Sequence, residues 1–323
     1  MPIDPFAKRL LGMIAAAGMV DTARMTPQQM RDGFRRLAQT VDIKNVPIGA
    51  VANGEWPGPC GPLPYRIYRP LPAAAGPLPA LIFFHGGGGI FGSIDTHDGL
   101  CRVLSSESGC VVISVGYRQA PEHKFPASVE DSYAATLWIF AQAAELGLDP
   151  HRIAVGGDSA GGGLAAVVCQ TAAKSHGPRL ALQLLFCPVM DLAAESPSRR
   201  TFAQGYFLDR TTIDWMIRHY CAPGTDLTDP RLSPLRGKDF SGLPPTHIHT
   251  AEFDPLRDEG EAYADRLRRA GVATRYTCHG GMIHHFYGMA GAIPAARIAL
   301  NGAAAAMRDA LAPGAIEKFP IAT

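Results

Sequence analysis

The chain has 323 residues, 47% hydrophobic and 18% charged, a balance that provides one large buried core and excludes a disordered or coiled-coil protein. Its 30 Lys and Arg nearly cancel its 29 Asp and Glu, so no strong field exists to recruit nucleic acid or an anionic membrane, and neutral small substrates fit better. Seven scattered cysteines with no C-x-x-C pair argue against a disulfide framework or a zinc site and point to a reducing cytosol.

Residues 1–45 precede any strand pattern and read as helical. Within them, 8–20 imitates a basic region followed by an apolar one, yet Asp4 ahead of it and two glycines inside it favour a surface helix set against an apolar cleft. No apolar run is long enough to span a bilayer. Stretches 46–52 and 65–68 read as two antiparallel strands joined by the Gly/Pro-rich 56–64. From residue 80 onward short apolar runs alternate with helical patterns. The strands fall at 80–84, 110–115, 153–156, 181–186, 246–250 and 274–278, and helices fall at 128–146, 160–174 and 256–270, the last stopped by Gly271. The expected class is α/β, an eight-stranded, mostly parallel sheet flanked by helices on both faces. Residues 196–230 interrupt the alternation, and there Ile213, Met216, Ile217 and Tyr220 follow the spacing of one helical face. The two leftover stretches, 1–45 and 196–230, either form a helical cap over the site or cover the sheet edge, and they divide the core into 46–195 and 231–323. An Ala-rich patch at 301–306 reads as a final helix, and no internal repeat occurs.

Gly157-Asp158-Ser159-Ala160-Gly161 matches G-x-S-x-G where a strand ends and a helix begins. A serine hydroxyl is a poor nucleophile, so it needs a tight turn that presents its oxygen to a base, with glycines where neighbouring backbone passes closely. The same pentapeptide is also compatible with a plain glycine-rich turn. A phosphate loop is excluded, since no G-x-x-x-x-G-K-[ST] pattern occurs. His85-Gly86-Gly87-Gly88-Gly89 follows the apolar run 81–84, and a His followed by four glycines arises by chance only about 0.002 times at this composition. Acyl transfer builds negative charge on a carbonyl oxygen, and bare glycine backbone can turn N–H groups toward it. Gly87, Gly88 and the amide of Ala160 are the candidate donors, with His85 as an anchor of the loop.

With these motifs the sequence resembles the hormone-sensitive-lipase-like bacterial esterases of the α/β-hydrolase superfamily. The likeness extends to 117–127, Y-R-Q-A-P-E-H-K-F-P-A, similar to the family's Y-R-L-A-P-E-H-x-F-P-A with Gln119 in place of Leu, and to 254–260, which resembles D-P-L-x-D-E. The resemblance implies a cap built from N-terminal helices and a late insertion, short- to medium-chain acyl esters as substrates, and an edge strand, 274–278 here, able to pair across a homodimer. It makes Asp254 the acid. Asp254 also lies just past a strand on the side where strand ends gather catalytic groups, ahead of its competitors Glu252, Asp258 and Asp158. Among eleven histidines, His284 completes the order Ser159, Asp254, His284. Residues 281–286, G-M-I-H-H-F, resemble G-M-x-H-x-F, with His285 where the family commonly has Gly.

The expected chemistry is attack by Ser159 on an ester carbonyl with His284 as base and Asp254 as its orienter, requiring no metal or organic cofactor. Deacetylation or amide hydrolysis of a specific small molecule is the competing enzymatic reading. A non-catalytic ligand-binding role is the other, since plant hormone receptors that resemble this family have lost the catalytic His. Met13, Met19, Phe34, Phe202, Tyr206, Phe207 and Met216 are candidates to line the acyl pocket, and Ala120-Pro121 or Phe125-Pro126 is a candidate cis bond.

Overall fold

Alternation along short strands decides the layers. The computed structural model describes residues 1–16, 22–71 and 76–314. Leu81 and Phe83 of β3 (Leu78–Phe84) face one way and pack with Leu100 and Leu104 of α3 (Asp98–Ser108) and with Leu300 and Met307 of α9 (Pro294–Ala310). Ile82 and Phe84 face the other way, against Ile139 of α4 (Ala127–Ala141) and Leu164 and Val168 of α5 (Ala160–Lys174). Each face of the sheet therefore has its own dry core, as an α/β layer requires.

The sheet has eight strands in the order β1-β2-β4-β3-β5-β6-β7-β8. Besides β3 these are β1 (Ala50–Gly58), β2 (Gly61–Arg69), β4 (Val111–Val115), β5 (Leu148–Asp158), β6 (Gln183–Phe186), β7 (Thr246–Phe253) and β8 (Thr274–Ile283). β1 and β2 run antiparallel and the rest are parallel, so the carboxyl ends of β3, β5, β6, β7 and β8 gather along one rim. The expected strands and their mixed character hold. Stretch 56–64, read as a linker, is instead mostly strand: Trp56 pairs with Leu63 and Pro57 with Pro62 in a long hairpin. Prolines are tolerated there because β4 pairs only with Tyr65 to Tyr68, leaving the far part of β2 with β1 alone.

α8 (Arg257–Arg269) ends before Gly271 at φ 78, the left-handed stop the sequence marks. Helix α3 had no counterpart in the sequence reading. Among the described residues, no helix is long and apolar enough to cross a membrane. Of the two leftover stretches, the first supplies α1 (Pro5–Ala16) and α2 (Pro27–Val41), and the second supplies α6 (Pro197–Thr201) and α7 (Arg210–Tyr220). α2 is held at the catalytic rim by Arg31, whose guanidinium donates to the carbonyls of Ile90 and Ala120 at 2.9 Å each and pairs with Glu122. Trp215 of α7 donates its indole N–H to the Met25 carbonyl at 2.9 Å, joining the two stretches. Both proline bonds, Ala120-Pro121 and Phe125-Pro126, are cis.

Candidate active site

Ser159 occupies the turn from β5 into α5 at φ 52, ψ −119, a conformation that costs energy for any residue with a Cβ. Backbone bonds hold it there. Its N–H donates to the Phe186 carbonyl at 2.8 Å, and its own carbonyl accepts from Gly163 and Val189. The flanking glycines are there for clearance: a Cβ on Gly157 or Gly161 would run into the carbonyl of Phe84 at the end of β3.

From this turn a line of hydrogen bonds leads inward. Ser159 Oγ lies 3.0 Å from His284 Nε2, and His284 Nδ1 lies 2.7 Å from Asp254 Oδ2. The Leu256 N–H donates to the other Asp254 oxygen at 2.8 Å. All three side chains are buried, Asp254 completely. Burial alone would push the imidazole of His284 down, but the adjacent Asp254 carboxylate outweighs it and raises the pKa above its ordinary value. An imidazole held in this way takes a proton from the hydroxyl and gains the stabilisation of its carboxylate when it does so.

The glycine loop runs beside the serine. Gly87, Gly88 and Gly89 all have positive φ, and a Cβ on Gly87 would strike the Gly92 amide, so the run of glycines is a steric requirement. Among the described residues the N–H groups of Gly87 and Gly88 meet no protein acceptor, while Ala160 opens α5, where amides lack helical partners. His85 anchors the loop's start. Its ring stacks on Tyr117, its Nδ1 is 2.9 Å from the Gly86 carbonyl, and Tyr117 donates its hydroxyl to the His85 carbonyl at 2.6 Å.

A family model described as the alpha/beta hydrolase fold matches residues 81–288, which include every one of these groups. The chain belongs to this family. Carboxylic ester hydrolase LipN of Mycobacterium tuberculosis is 48% identical over 236 residues, covering 71% of this chain and 62% of that protein. Carboxylesterase NlhH of the same organism is 38% identical over 318 residues and 96% of both chains. A solved ester hydrolase from the metagenome of Lake Arreo, in complex with a bipyridine phosphonate derivative, superposes with a TM-score of 0.93 at 44% identity, covering 95% of this chain and 98% of its own.

In this α/β hydrolase the serine opens onto a largely apolar pocket. Met216, Ile213, Ile217 and Tyr220 of α7 form one wall, and Leu208 and Leu256 pack beside them. Of the pocket candidates that fall among the described residues, only Met216 lies there. Phe202 and Tyr206 instead stack against Phe253, Phe34 and Phe207 pack on the ring of His285, and Met13 is exposed; Met19 lies outside the described residues. The residue-type signal was sound, but the face each segment turns to the cleft depends on how the stretch docks.

The competing acids are committed elsewhere. Glu252 accepts the Gly281 N–H at 2.8 Å, and Asp258 accepts the Ser198 N–H at 2.7 Å. Asp158 builds a second buried assembly under the glycine loop. One carboxylate oxygen accepts the Gly86 N–H at 2.8 Å and sits 3.0 Å from His97 Nε2, and the other is 3.1 Å from His285 Nδ1. Burial opposes charge on Asp158, yet His97 and His285 together hold its carboxyl well below the usual range. His97 escaped the sequence reading because no local motif marks it. Donor atoms converge at this cluster and again at Cys187, Asp254 and His284, as a metal site would need. In both, the Asp and His donors already bond one another.

Proposed function

We propose that this α/β hydrolase is a serine carboxylesterase acting on short- to medium-chain acyl esters, with Ser159 as nucleophile, His284 as general base and Asp254 as the group that orients it. The observation that carries the reading is the unbroken hydrogen-bonded line Ser159–His284–Asp254 opening onto an apolar pocket. In this scheme His284 takes the serine proton as Oγ attacks the ester carbonyl. The amides of Gly87, Gly88 and Ala160 then receive the oxyanion, and His284 returns the proton to the leaving alcohol. Water, activated by the same imidazole, releases the acid from the acyl-enzyme. The names of the relatives support the reaction class: besides those above, an arylesterase of Saccharolobus solfataricus is 38% identical over 89% of this chain. Helices α1, α2, α6 and α7 serve as the cap, since α7 walls the pocket and α2 is pinned to the glycine loop. The seven free cysteines fit a cytoplasmic setting, and β8, at the sheet edge, is the strand through which a homodimer would pair.

The test is hydrolysis of p-nitrophenyl esters across acyl lengths by wild type, Ser159→Ala, His284→Ala and His285→Ala. We expect activity to peak at short chains and to fall by about 10⁴-fold or more in the first two variants, while His285→Ala keeps most of it. A wild type inactive on every ester, or an active Ser159→Ala, would sink the assignment and bring forward the ligand-binding role.

A further inference from the structure

One charged side chain of the pocket takes no part in the reaction as proposed. Arg199, on α6, is 5% exposed and lines the same chamber as Ser159. Its Nε and Nη2 donate to Glu259 Oε2 at 3.2 and 2.9 Å, and Nη2 also donates to the Asp191 carbonyl at 2.8 Å. Nη1 meets no protein acceptor among the described residues, and the surroundings in the chamber are aliphatic: Leu192, Leu208, Leu232 and Leu256.

Nη1 keeps access to the open chamber, whereas a leucine or methionine at 199 would line such an aliphatic wall without bringing a charge to it. Glu259 covers only one side of the guanidinium, Nε and Nη2, through a single oxygen. Burial drives its carboxyl up, against the pull of Arg199, to about 7, and its other oxygen is taken by the amides of Met190 and Asp191. Arg231 also reaches this chamber, but its charge is answered by Asp229 at 2.7 Å and it lies over the ring of Phe125, which leaves Arg199 as the cation with an open donor there.

Resting on the esterase reading, we propose that the pocket selects esters that carry a carboxylate away from the scissile carbonyl, received by the open Nη1 side of Arg199. A carboxylate there accepts charge-assisted hydrogen bonds from a donor already fixed in place by Glu259 and Asp191, with little further ordering to do. A plain alkyl tail fills the same space but leaves Nη1 dry and unbonded.

The experiment compares kcat/KM for monoethyl succinate, glutarate and adipate with ethyl butyrate, valerate and hexanoate. A second set, 4-acetoxybutanoate against butyl acetate, asks whether the carboxylate belongs on the alcohol side. Wild type is expected to process at least one charged ester with kcat/KM no lower than about a tenth of its neutral counterpart, because an unpaired buried carboxylate would lose far more. In Arg199→Met that ratio should fall roughly 10- to 100-fold, with Arg199→Lys recovering part of it. The ratio cancels any general loss of active enzyme. Should Arg199→Met not fold, Arg199→Met combined with Glu259→Gln removes both charges and answers the same question. A wild type that rejects every charged ester, or a ratio that the variants leave within about fivefold, overturns the proposal. If neutral esters are still turned over in a Ser159-dependent way, that failure falls on the carboxylate proposal alone. If no ester is turned over, the esterase reading has failed first.

Discussion

Two aspartate–histidine assemblies lie side by side in this molecule, their histidines adjacent in sequence. Asp254 with His284 and Asp158 with His285 have similar chemistry, similar burial and similar distances, 2.7 and 3.1 Å. They differ in what the far side of the imidazole meets. His284 turns its Nε2 to a serine hydroxyl at the mouth of a pocket, whereas the ring of His285 is flanked by Phe34, Phe207 and a second imidazole, His97. The first pair is thereby able to pass a proton, and its histidine has a raised pKa. The second only holds the glycine loop through Gly86, and burial lowers the pKa of His285. An Asp–His pair becomes chemical equipment through the third group it faces.

This contrast can be broken most sharply by exchanging each carboxylate for its amide. Asp254→Asn is expected to lower kcat by about 10⁴-fold with a small change in unfolding midpoint, because the wrong tautomer of His284 is favoured. Asp158→Asn should do the reverse: activity falling only about 10- to 100-fold as the loop loosens, with about 3 kcal/mol of stability lost in denaturant unfolding, since His97 loses its buried partner. Equal damage from both exchanges would mean that the two assemblies are not functionally distinct.

The pH profile sharpens the comparison further. As the proposed base His284 acts only when neutral, and its pKa is raised, so kcat/KM should be low in acid and rise through a midpoint above the ordinary value of about 6.5, by about tenfold per unit below it. A midpoint below 6.5 would contradict a base whose carboxylate partner raises its pKa.

The smallest effect is expected from His285→Gly. His285 stands at φ 64, where glycine is unstrained, but the substitution removes a hydrogen bond to a buried carboxylate and opens space among three rings. The net loss should be about 1–2 kcal/mol by thermal or urea unfolding, with ester turnover changed only a few-fold. A more stable His285→Gly would mean that backbone strain outweighs the contacts of the ring.

Much of this was readable in one dimension because the chemistry follows strand ends. The strands of the parallel sheet are short apolar runs, and Ser159, Asp254 and His284 each come just after one of them. The glycine motif was legible for a related reason: steric exclusion at Gly87 and Gly161 leaves a spelling that few other structures require. What escaped was set by distant partners. His97 matters only because Asp158 comes to it from the distant end of β5, and the prolines at 57, 62 and 64 look like a linker until the hairpin is seen to project beyond β4. Of the pocket wall only Met216 was assigned from sequence, although the apolar face of α7 was legible, because it is α7 and not the aromatic stretch before it that turns to the serine.

The way the early residues are seated bears on how the molecule is assembled during synthesis. Asp4 donates its N–H to the Gly281 carbonyl at 2.9 Å, Met25 waits for the indole of Trp215, and Arg31 docks on a loop that Glu122 completes. These are contacts of high sequence separation, and the first two close only after most of the chain has been translated. Residues as early as Asp4 and Met25 are therefore among the last to find their place, and until they do the helix that walls the pocket lacks its anchor. A nascent chain would form much of its catalytic sheet before it had a finished entrance, so competence for substrate would arrive late and nearly all at once.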